Sequence, residues 1–152
     1  AKYDMSAYVD LILALMMQES SGQGTDVMQS SEGAYNTQYP QTPNGITDVD
    51  YSIACGIQEL KYSMTKADVT GPNDIANIKL ALQGYNFGAD VYFNYLEKNG
   101  ITSWSEESSK AFAEIASGET KRSKEDPLYD TAGPWDYGDQ YYPEHVLRYY
   151  HS

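Results

Sequence analysis

One glutamate in the sequence stands at a position suited to acid chemistry. Leu11, Leu15 and Glu19 follow one another at intervals of four residues, so on a helix their side chains share one face. The stretch 20–22 after Glu19 (Ser-Ser-Gly) is typical of a helix end, where the helix dipole disfavours negative charge. Partial burial and the dipole both favour the protonated acid. Such a glutamate suits glycosidic cleavage, in which the leaving oxygen must receive a proton; the alternative is a frayed helix end in solvent.

Other familiar catalytic and metal-binding patterns are missing from the sequence. His145 and His151 stand near the C-terminus, far in sequence from Cys55, so no zinc-ligand spacing results. No serine lies in a glycine-flanked elbow, and no phosphate-binding or dinucleotide-binding glycine motif occurs. The sequence therefore predicts no metal and no cofactor. Cys55 stands between Ile53 and Ile57 on a predicted helix and is expected to be a small core residue.

The chain is strongly acidic. It has 22 aspartates and glutamates against 10 lysines and arginines, for a formal net charge of −12. Because no basic cluster occurs, nucleic acid is a poor partner and an anionic membrane surface is disfavoured. The apolar stretch 11–17 is too short to span a bilayer. The length of 152 residues predicts a single domain over residues 1–152.

Helical periodicity dominates the chain, and we expect about five to six helices with little or no β-sheet. The predicted helices cover residues 6–19, open at 47–50 and after 71–73, run from 88 to 99, lie between 103 and 118, and end the chain at 143–150. The fifth helix has Phe112 and Ile115 as its apolar residues. Residues 23–45 and 119–140 are polar segments with glycine and proline, which we interpret as loops. The fold class is mostly α.

Four short motifs occur in order along the chain. They are Gln-Glu-Ser-Ser-Gly at 18–22, Met-Gln-Ser-Ser-Glu at 28–32, Tyr-Asn-Phe-Gly at 85–88 and His-Val-Leu-Arg-Tyr-Tyr at 145–150. Together they resemble the bacterial lysozyme-like muramidase domain of Gram-positive and conjugative-element cell-wall hydrolases. That domain is part of the superfamily of goose-type lysozymes and soluble lytic transglycosylases. The resemblance covers essentially the whole chain and implies a lysozyme-like fold, with helices around a substrate cleft.

The resemblance also implies roles for individual residues. Glu19 becomes the general acid, Gln29 a polar residue of the cleft, and Tyr85 a phenol that hydrogen-bonds near the catalytic carboxylate or the sugar. Asn86 and Gly88 shape the turn between the third and fourth helices. The alternatives are structural: Tyr85 as an aromatic at the edge of the core, and Gln29 as an amide that pins the loop.

Further motif residues extend the expected site. We expect Ser20, Ser30 and Asn86 to contact substrate together with Gln29 and Tyr85. Three positions depart from the wider superfamily: Asp26, Val27 and Gly84 stand where it has glycine, leucine and alanine. These departures weaken the match to transglycosylases more than the match to muramidases.

A second carboxylate decides the mechanism. Glu32, thirteen residues after Glu19, is the leading candidate, and Asp48 is a weaker one because it fits a helix start better. Hydrolysis with inversion or with retention uses two carboxylates, whereas lytic transglycosylases manage with one and leave an anhydro sugar. Glu32 fits equally well as a carboxylate that holds its loop by accepting backbone N–H bonds. The sequence leaves these alternatives open.

The sequence thus predicts a secreted bacterial glycosidase, a muramidase that cleaves the β-1,4 bond between N-acetylmuramic acid and N-acetylglucosamine in peptidoglycan. A lytic transglycosylase and a non-catalytic peptidoglycan-binding domain are the alternatives. Peptidoglycan glycan strands are the expected partner, with a second hydrolase domain in a longer, anchored protein at the cell surface or outside the cell. Anchoring offsets the repulsion between an acidic enzyme and a polyanionic wall.

Overall fold

The computed structural model describes residues 2–150. Ala1, His151 and Ser152 lie outside the described residues. Helices make up 52% of the described residues, which confirms the mostly α prediction, and this part of the chain has seven α-helices where five to six were expected. They are α1 Val9–Ser20, α2 Val49–Lys66, α3 Ile75–Phe87, α4 Ala89–Lys98, α5 Glu106–Ala116, α6 Pro127–Thr131 and α7 Tyr142–Leu147. Within residues 2–150 there is no strand, only an isolated bridge between Lys121 and Trp135.

Local capping explains where the helices begin and end. The α1 helix stops because Ser21 takes a left-handed conformation with φ of 57° and donates its N–H to the Met17 carbonyl. The α5 helix begins a few residues after the predicted start near Ser103, because the side chain of Ser105 caps this helix by accepting the Ser108 N–H at 3.0 Å. Capping interactions at single residues therefore fix the helix boundaries, which hydrophobic periodicity predicts only to within a few residues.

The chain divides into two compact units. The first contains the described parts of residues 1–62, 71–73 and 145–152, and so holds α1 and most of α2. Its core is apolar and includes buried side chains from both helices and from the loop that joins them: Leu11, Ile12, Leu15, Val27, Met28, Ile46, Cys55 and Leu60. The Met28 side chain occupies the space that a Cβ on Gly56 would need. The loop that follows α1 is therefore packed directly onto α2.

The long connection between α1 and α2 has no regular structure, as predicted, but its polar side chains hold it in order. Asn36 is buried, and its amide donates to the Ser31 carbonyl at 2.7 Å and to the Tyr39 carbonyl at 3.0 Å. The Thr25 hydroxyl donates to the Ile46 carbonyl at 2.8 Å. Buried backbone groups of the loop thus find side-chain partners in place of a helix or sheet.

The second unit contains residues 63–70 and 74–144, with α3, α4, α5 and α6. Aromatic rings from three of its segments form the centre: Phe87 and Phe112 stack at 4.9 Å, and Tyr92 meets both rings edge-on. Of the two apolar residues noted for this helix in the sequence, Phe112 is buried and Ile115 is 66% exposed. The buried face of α5 instead follows Ser109, Phe112 and Ala113.

The segment 119–140, predicted as a loop, contains the short helix α6 and is folded onto its own unit. Arg122 donates from its two terminal nitrogens to the carbonyls of Gly133 (2.8 Å) and Gly138 (2.9 Å). The buried amide of Gln140 donates to the carbonyls of Trp135 and Tyr137. Polar side chains again satisfy an irregular backbone. Among the described residues, no helix has the length and apolar character needed to cross a membrane.

Candidate active site

Glu19 lies in the last turn of α1, in the first unit. The two preceding members of its stripe, Leu11 and Leu15, are fully buried, and Glu19 itself is half-buried. Its side chain therefore has the partial burial that the four-residue spacing predicts, and it is not the solvent-facing residue of a frayed helix end.

The end of α1 is fastened to the loop that follows it. The Ser20 hydroxyl donates to the Val27 carbonyl at 2.7 Å, and the same oxygen accepts the Gly22 N–H at 3.1 Å. Because this hydroxyl is used within the protein, Ser20 serves to hold Glu19 beside residues 26–27.

Asp26 is the most extensively hydrogen-bonded carboxylate of this loop. In the sequence it was noted only as a departure from the superfamily pattern. It is buried, with 2% of its surface exposed. One oxygen accepts the Ser30 N–H at 3.0 Å and the Ser52 hydroxyl at 2.7 Å; the other accepts the N–H and the hydroxyl of Ser31. These hydrogen bonds offset the cost of burying a charged group. Asp26 thereby joins the loop to α2 through Ser52.

The residues of the 28–32 motif have different surroundings. Gln29 is exposed with φ of 49°, and its amide nitrogen donates to the Asp26 carbonyl (2.9 Å) and to Asn44 Oδ1 (2.8 Å), an arrangement that pins the loop. Ser30 is buried and its hydroxyl donates to the Ser52 carbonyl at 3.0 Å. Glu32 is exposed. Burial therefore separates Ser30 from any substrate, whereas Gln29 and Glu32 stay accessible.

A third carboxyl of the first unit belongs to Glu59 on α2. This residue was not among the site residues predicted from the sequence. It is half-buried, and its carboxyl occupies the space that a Cβ on Gly33 would need. Loss of water around it raises the pKa of Glu59 to about 8, and the negative charges of Asp26 and Glu19 add to this effect. Glu59 is therefore protonated at neutral pH and lies within electrostatic reach of both other carboxyls.

A signal for Glu59 does exist in the sequence of α2. Ser52, Cys55, Gly56 and Glu59 recur at helical spacing, and the first three are buried. A stripe of small residues that ends in a carboxyl indicates a helix face pressed against backbone. Periodicity analysis based on large apolar residues misses such a face. Cys55 is a buried core residue, as predicted, and burial raises the pKa of its thiol, which disfavours the reactive thiolate.

The remaining expected site residues belong to the second unit. Tyr85 is half-buried on α3. Asn86 is half-buried too, and its side-chain oxygen accepts the Asp139 N–H at 2.7 Å. Gly88 lies between α3 and α4 with φ of 98°, a conformation that favours glycine. Gly88 thus occupies the turn between α3 and α4, whereas Asn86 lies in the last turn of α3.

Within residues 2–150, no group of three or more histidine, cysteine, aspartate or glutamate side chains is arranged to hold a metal ion. The chemistry that this arrangement offers is proton transfer by carboxyl groups in three environments: Asp26 buried and hydrogen-bonded, Glu59 half-buried and neutral, and Glu19 half-buried at a helix end.

The family model described as Lysozyme-like matches residues 1–150. The chain belongs to the lysozyme-like family. This confirms both the resemblance and the fold class that the motifs implied.

Curated relatives share part of their length with this lysozyme-like chain. The bifunctional muramidase/DL-endopeptidase CwlT of Bacillus subtilis is 33% identical over 141 residues, which are 93% of this chain and 35% of CwlT. The uncharacterized membrane protein YocA of the same organism is 34% identical, over 93% of this chain and 59% of YocA. A pneumococcal vaccine antigen A homolog of Streptococcus pyogenes is 37% identical over 100 residues, 66% of this chain and 45% of that protein. The chain thus spans about a third to three-fifths of these relatives.

A solved structure shows a similar fold. The crystal structure of a protein similar to lipoprotein, of the NLP/P60 family, from Staphylococcus aureus superposes with a TM-score of 0.79 at 29% identity. The match covers 99% of this chain and 48% of that one.

Replacing Asp26 tests how strongly the loop depends on it. Asp26→Asn keeps the shape but turns an N–H group toward donors that now lack an acceptor, so we expect a loss of roughly 3 kcal/mol in the free energy of unfolding, measured by urea denaturation. Asp50→Asn is the matched control, because Asp50 is exposed in the first turn of α2, and it should change the free energy by less than about 0.5 kcal/mol. Equal stability of the two variants would contradict this role for Asp26.

The raised pKa of Glu59 predicts a specific dependence of the free energy of unfolding on pH. The folded state holds a proton to about pH 8 that the unfolded chain releases near pH 4.5, so stability is greatest below the lower value and falls as pH rises through this window. The slope is at most about 1.4 kcal/mol per pH unit. Glu59→Gln should reduce the slope, so that its melting temperature exceeds that of the unmodified chain increasingly from pH 5 to pH 8. Parallel melting curves for the two proteins across this range would show that Glu59 does not titrate this way.

Proposed function

We propose that this chain is the catalytic domain of a peptidoglycan hydrolase, a muramidase that cleaves the β-1,4 bond between N-acetylmuramic acid and N-acetylglucosamine. Family membership over residues 1–150 and the similarity to CwlT, named a muramidase/DL-endopeptidase, support the reaction class. The observation that carries the proposal is the group of Glu19, Asp26 and Glu59 in one unit, with Glu59 neutral and Asp26 held in hydrogen bonds.

Glu19 is the general acid in this proposal. It gives its proton to the glycosidic oxygen as the bond to the anomeric carbon breaks, and it becomes a carboxylate. Its position at the accessible end of α1 favours this role over Glu59, whose carboxyl lies against the Gly33 backbone. Asp26 supplies a fixed negative charge in the same unit, of the kind that stabilises positive charge developing on the sugar ring.

The water that completes hydrolysis needs a base, and we assign this role to Glu32. Its carboxylate is exposed on the loop that also carries Gln29, so water reaches it freely. Asp26 is the competing candidate, favoured by its electrostatic link to Glu59; however, both of its oxygens already accept hydrogen bonds within the protein. Variants at the two positions distinguish these assignments.

Substrate contacts follow from accessibility. Gln29 uses its amide nitrogen within the protein, so its carbonyl oxygen is the atom proposed to accept the N–H of an N-acetyl group. Tyr85 and Asn86 belong to the second unit and stay proposed substrate contacts there, and Tyr85→Phe tests whether the phenol matters. We leave Ser20 and Ser30 out, because their hydroxyls are used within the protein.

The proposed partner is the glycan strand of peptidoglycan, and the proposed location is the bacterial cell surface or cell wall. CwlT is bifunctional, and this chain aligns with 35% of it, which favours a second hydrolase activity in the full-length protein. With 22 acidic residues against 10 basic ones, long-range attraction to a polyanionic wall is absent. Tethering at the surface therefore supplies the local concentration that the charge does not.

Glu19→Gln is the first test of the catalytic assignment. The amide keeps the shape but has no proton to give, so release of glycan fragments from purified peptidoglycan should fall by a factor of about 10² to 10⁴. Circular dichroism and melting temperature should stay close to those of the unmodified protein. Full activity in the folded variant would overturn the assignment. Binding of peptidoglycan without any turnover by the unmodified protein would favour the non-catalytic binding domain.

Product analysis distinguishes the hydrolase from the transglycosylase. Mass spectrometry of the released muropeptides should find reducing N-acetylmuramic ends, because water is the proposed nucleophile. Glu32→Gln should lose these ends if Glu32 activates the water, with Asp50→Asn as a control carboxylate on the surface of the same unit. A product with 1,6-anhydro ends from the unmodified protein would contradict the muramidase assignment and identify a lytic transglycosylase.

A further inference from the structure

The second unit contains a cavity of about 350 Å³ that the proposed reaction does not use. A volume of this size can hold a small molecule or part of a larger one. The lining comes from the end of α2, the first half of α3, and the end of α4 with the residues that follow it. All of these segments belong to the second unit, whereas Glu19, Asp26 and Glu59 belong to the first. The cavity therefore shares no residue with the group of three carboxyls.

Two helices end at this cavity, and both end in the same way. Asp68 after α2 and Gly100 after α4 take the left-handed conformation, with φ of 57° and 64°. The residues that follow them, Val69 and Ile101, donate their N–H groups to carbonyls in the last turn of each helix, at 3.1 Å and 2.9 Å. Because the C-terminal end of a helix carries partial negative charge, two such ends favour a cation in the cavity.

The charged side chains of the lining strengthen this preference. Asp68 and Glu97 line the cavity, and Lys66 is the basic side chain among the described residues that do so; all three are exposed. The start of α3 is the end of a helix with partial positive charge, but the Asp74 carboxylate accepts the Asn77 N–H there and offsets it. Negative charge therefore exceeds positive charge around the cavity.

Apolar side chains complete the lining. Leu80 and Leu96 are buried, and Phe93 and Ile101 are half-buried. An aliphatic chain gains from contact with such surfaces, whereas a hydrated metal ion does not. Within residues 2–150, moreover, no group of three or more histidine, cysteine, aspartate or glutamate side chains is arranged to hold a metal ion. The lining thus suits an ammonium group at the end of an aliphatic chain.

We propose that this cavity binds the peptide stem of peptidoglycan through the side-chain ammonium group of its diamino acid. The inference rests on the function proposed above, because it takes peptidoglycan as the substrate. The ammonium group binds beside the carboxylates of Asp68 and Glu97, close to the two helix ends. The aliphatic part of the same side chain packs against Leu80 and Leu96. The exposed amide of Asn94, which also lines the cavity, both donates to and accepts from the peptide groups of the stem.

Lys66 makes the sign of the expected effects specific. Its ammonium group repels a second cation in the same cavity, so Lys66→Met should raise the affinity for the stem by about threefold or more. If the negative charge of the lining served only to accommodate Lys66, removal of this lysine would not create a binding site for a peptide.

The experiment titrates the chain with the tetrapeptide L-alanyl-γ-D-glutamyl-L-lysyl-D-alanine, acetylated at its N-terminus, and follows the backbone amide signals by NMR. We expect the signals of residues 66–68 and 94–102 to shift. Acetylation of the lysyl side chain removes the charge and keeps the aliphatic chain, so it should weaken binding by about tenfold or more.

Two variants test the carboxylates. Asp68→Asn and Glu97→Gln should each weaken binding by about three- to tenfold, and both should fold, because the two side chains are exposed and asparagine tolerates the left-handed conformation. Glu107→Gln is the matched control, because Glu107 is exposed on α5 of the same unit and does not line the cavity. It should leave the affinity unchanged.

Absence of binding, equal affinity for the side-chain-acetylated peptide, or unchanged affinity in both Asp68→Asn and Glu97→Gln overturns the inference. So does binding of pentylamine as tight as that of the tetrapeptide, because the peptide would then contribute nothing. Peptide binding needs no catalysis, so Glu19→Gln should bind the tetrapeptide as the unmodified protein does. Full lytic activity of Glu19→Gln instead overturns the proposed general acid, and the binding measurement is independent of that result.

Discussion

The arrangement of the first unit depends on how one buried charge is satisfied. Asp26 is almost completely removed from solvent, and an unpaired carboxylate there would cost several kcal/mol. Four hydrogen-bond donors from Ser30, Ser31 and Ser52 surround it. To supply these donors, the loop must turn back over Asp26 and α2 must approach it with Ser52. The conformation of the loop, and with it the end of α1, therefore follows from the solvation of a single side chain.

The buried charge of Asp26 also contributes to the raised pKa of the neighbouring Glu59. Asp26 cannot move away from Glu59, because both of its oxygens are held, and Glu59 has little water to stabilise a second charge. Glu59 consequently keeps its proton at neutral pH. Glu19, at the end of α1, interacts with the same group. Burial, hydrogen bonding and mutual repulsion thus place three acidic side chains in different environments.

The sequence predicts the helices and the place of Glu19 well, because both rest on large apolar residues at regular spacing. Leu11 and Leu15 are buried as their period requires, and Cys55 is a core residue. Apolar character alone is a poor guide in α5, where Ile115 is exposed and the polar Ser109 takes part in the buried face. The structural roles of Asp26, Ser30 and Glu59 could not be predicted from the sequence for a common reason: they depend on contacts between segments that are far apart in sequence, such as Asp26 with Ser52 and Glu59 with Gly33. The motifs identify the family without these contacts. They do not predict the different environments of the carboxyl groups.

The direct measurement is a pH titration of the glutamate side-chain carboxyl carbons by ¹³C NMR, with the Glu59 signal assigned by its loss in Glu59→Gln. This signal should titrate near pH 8 and should move to lower pH in Asp26→Asn, once the fold of that variant is verified. A Glu59 carboxyl that titrates near pH 4.5, the ordinary value for glutamate, would contradict the raised pKa that burial and the charge of Asp26 give to this group.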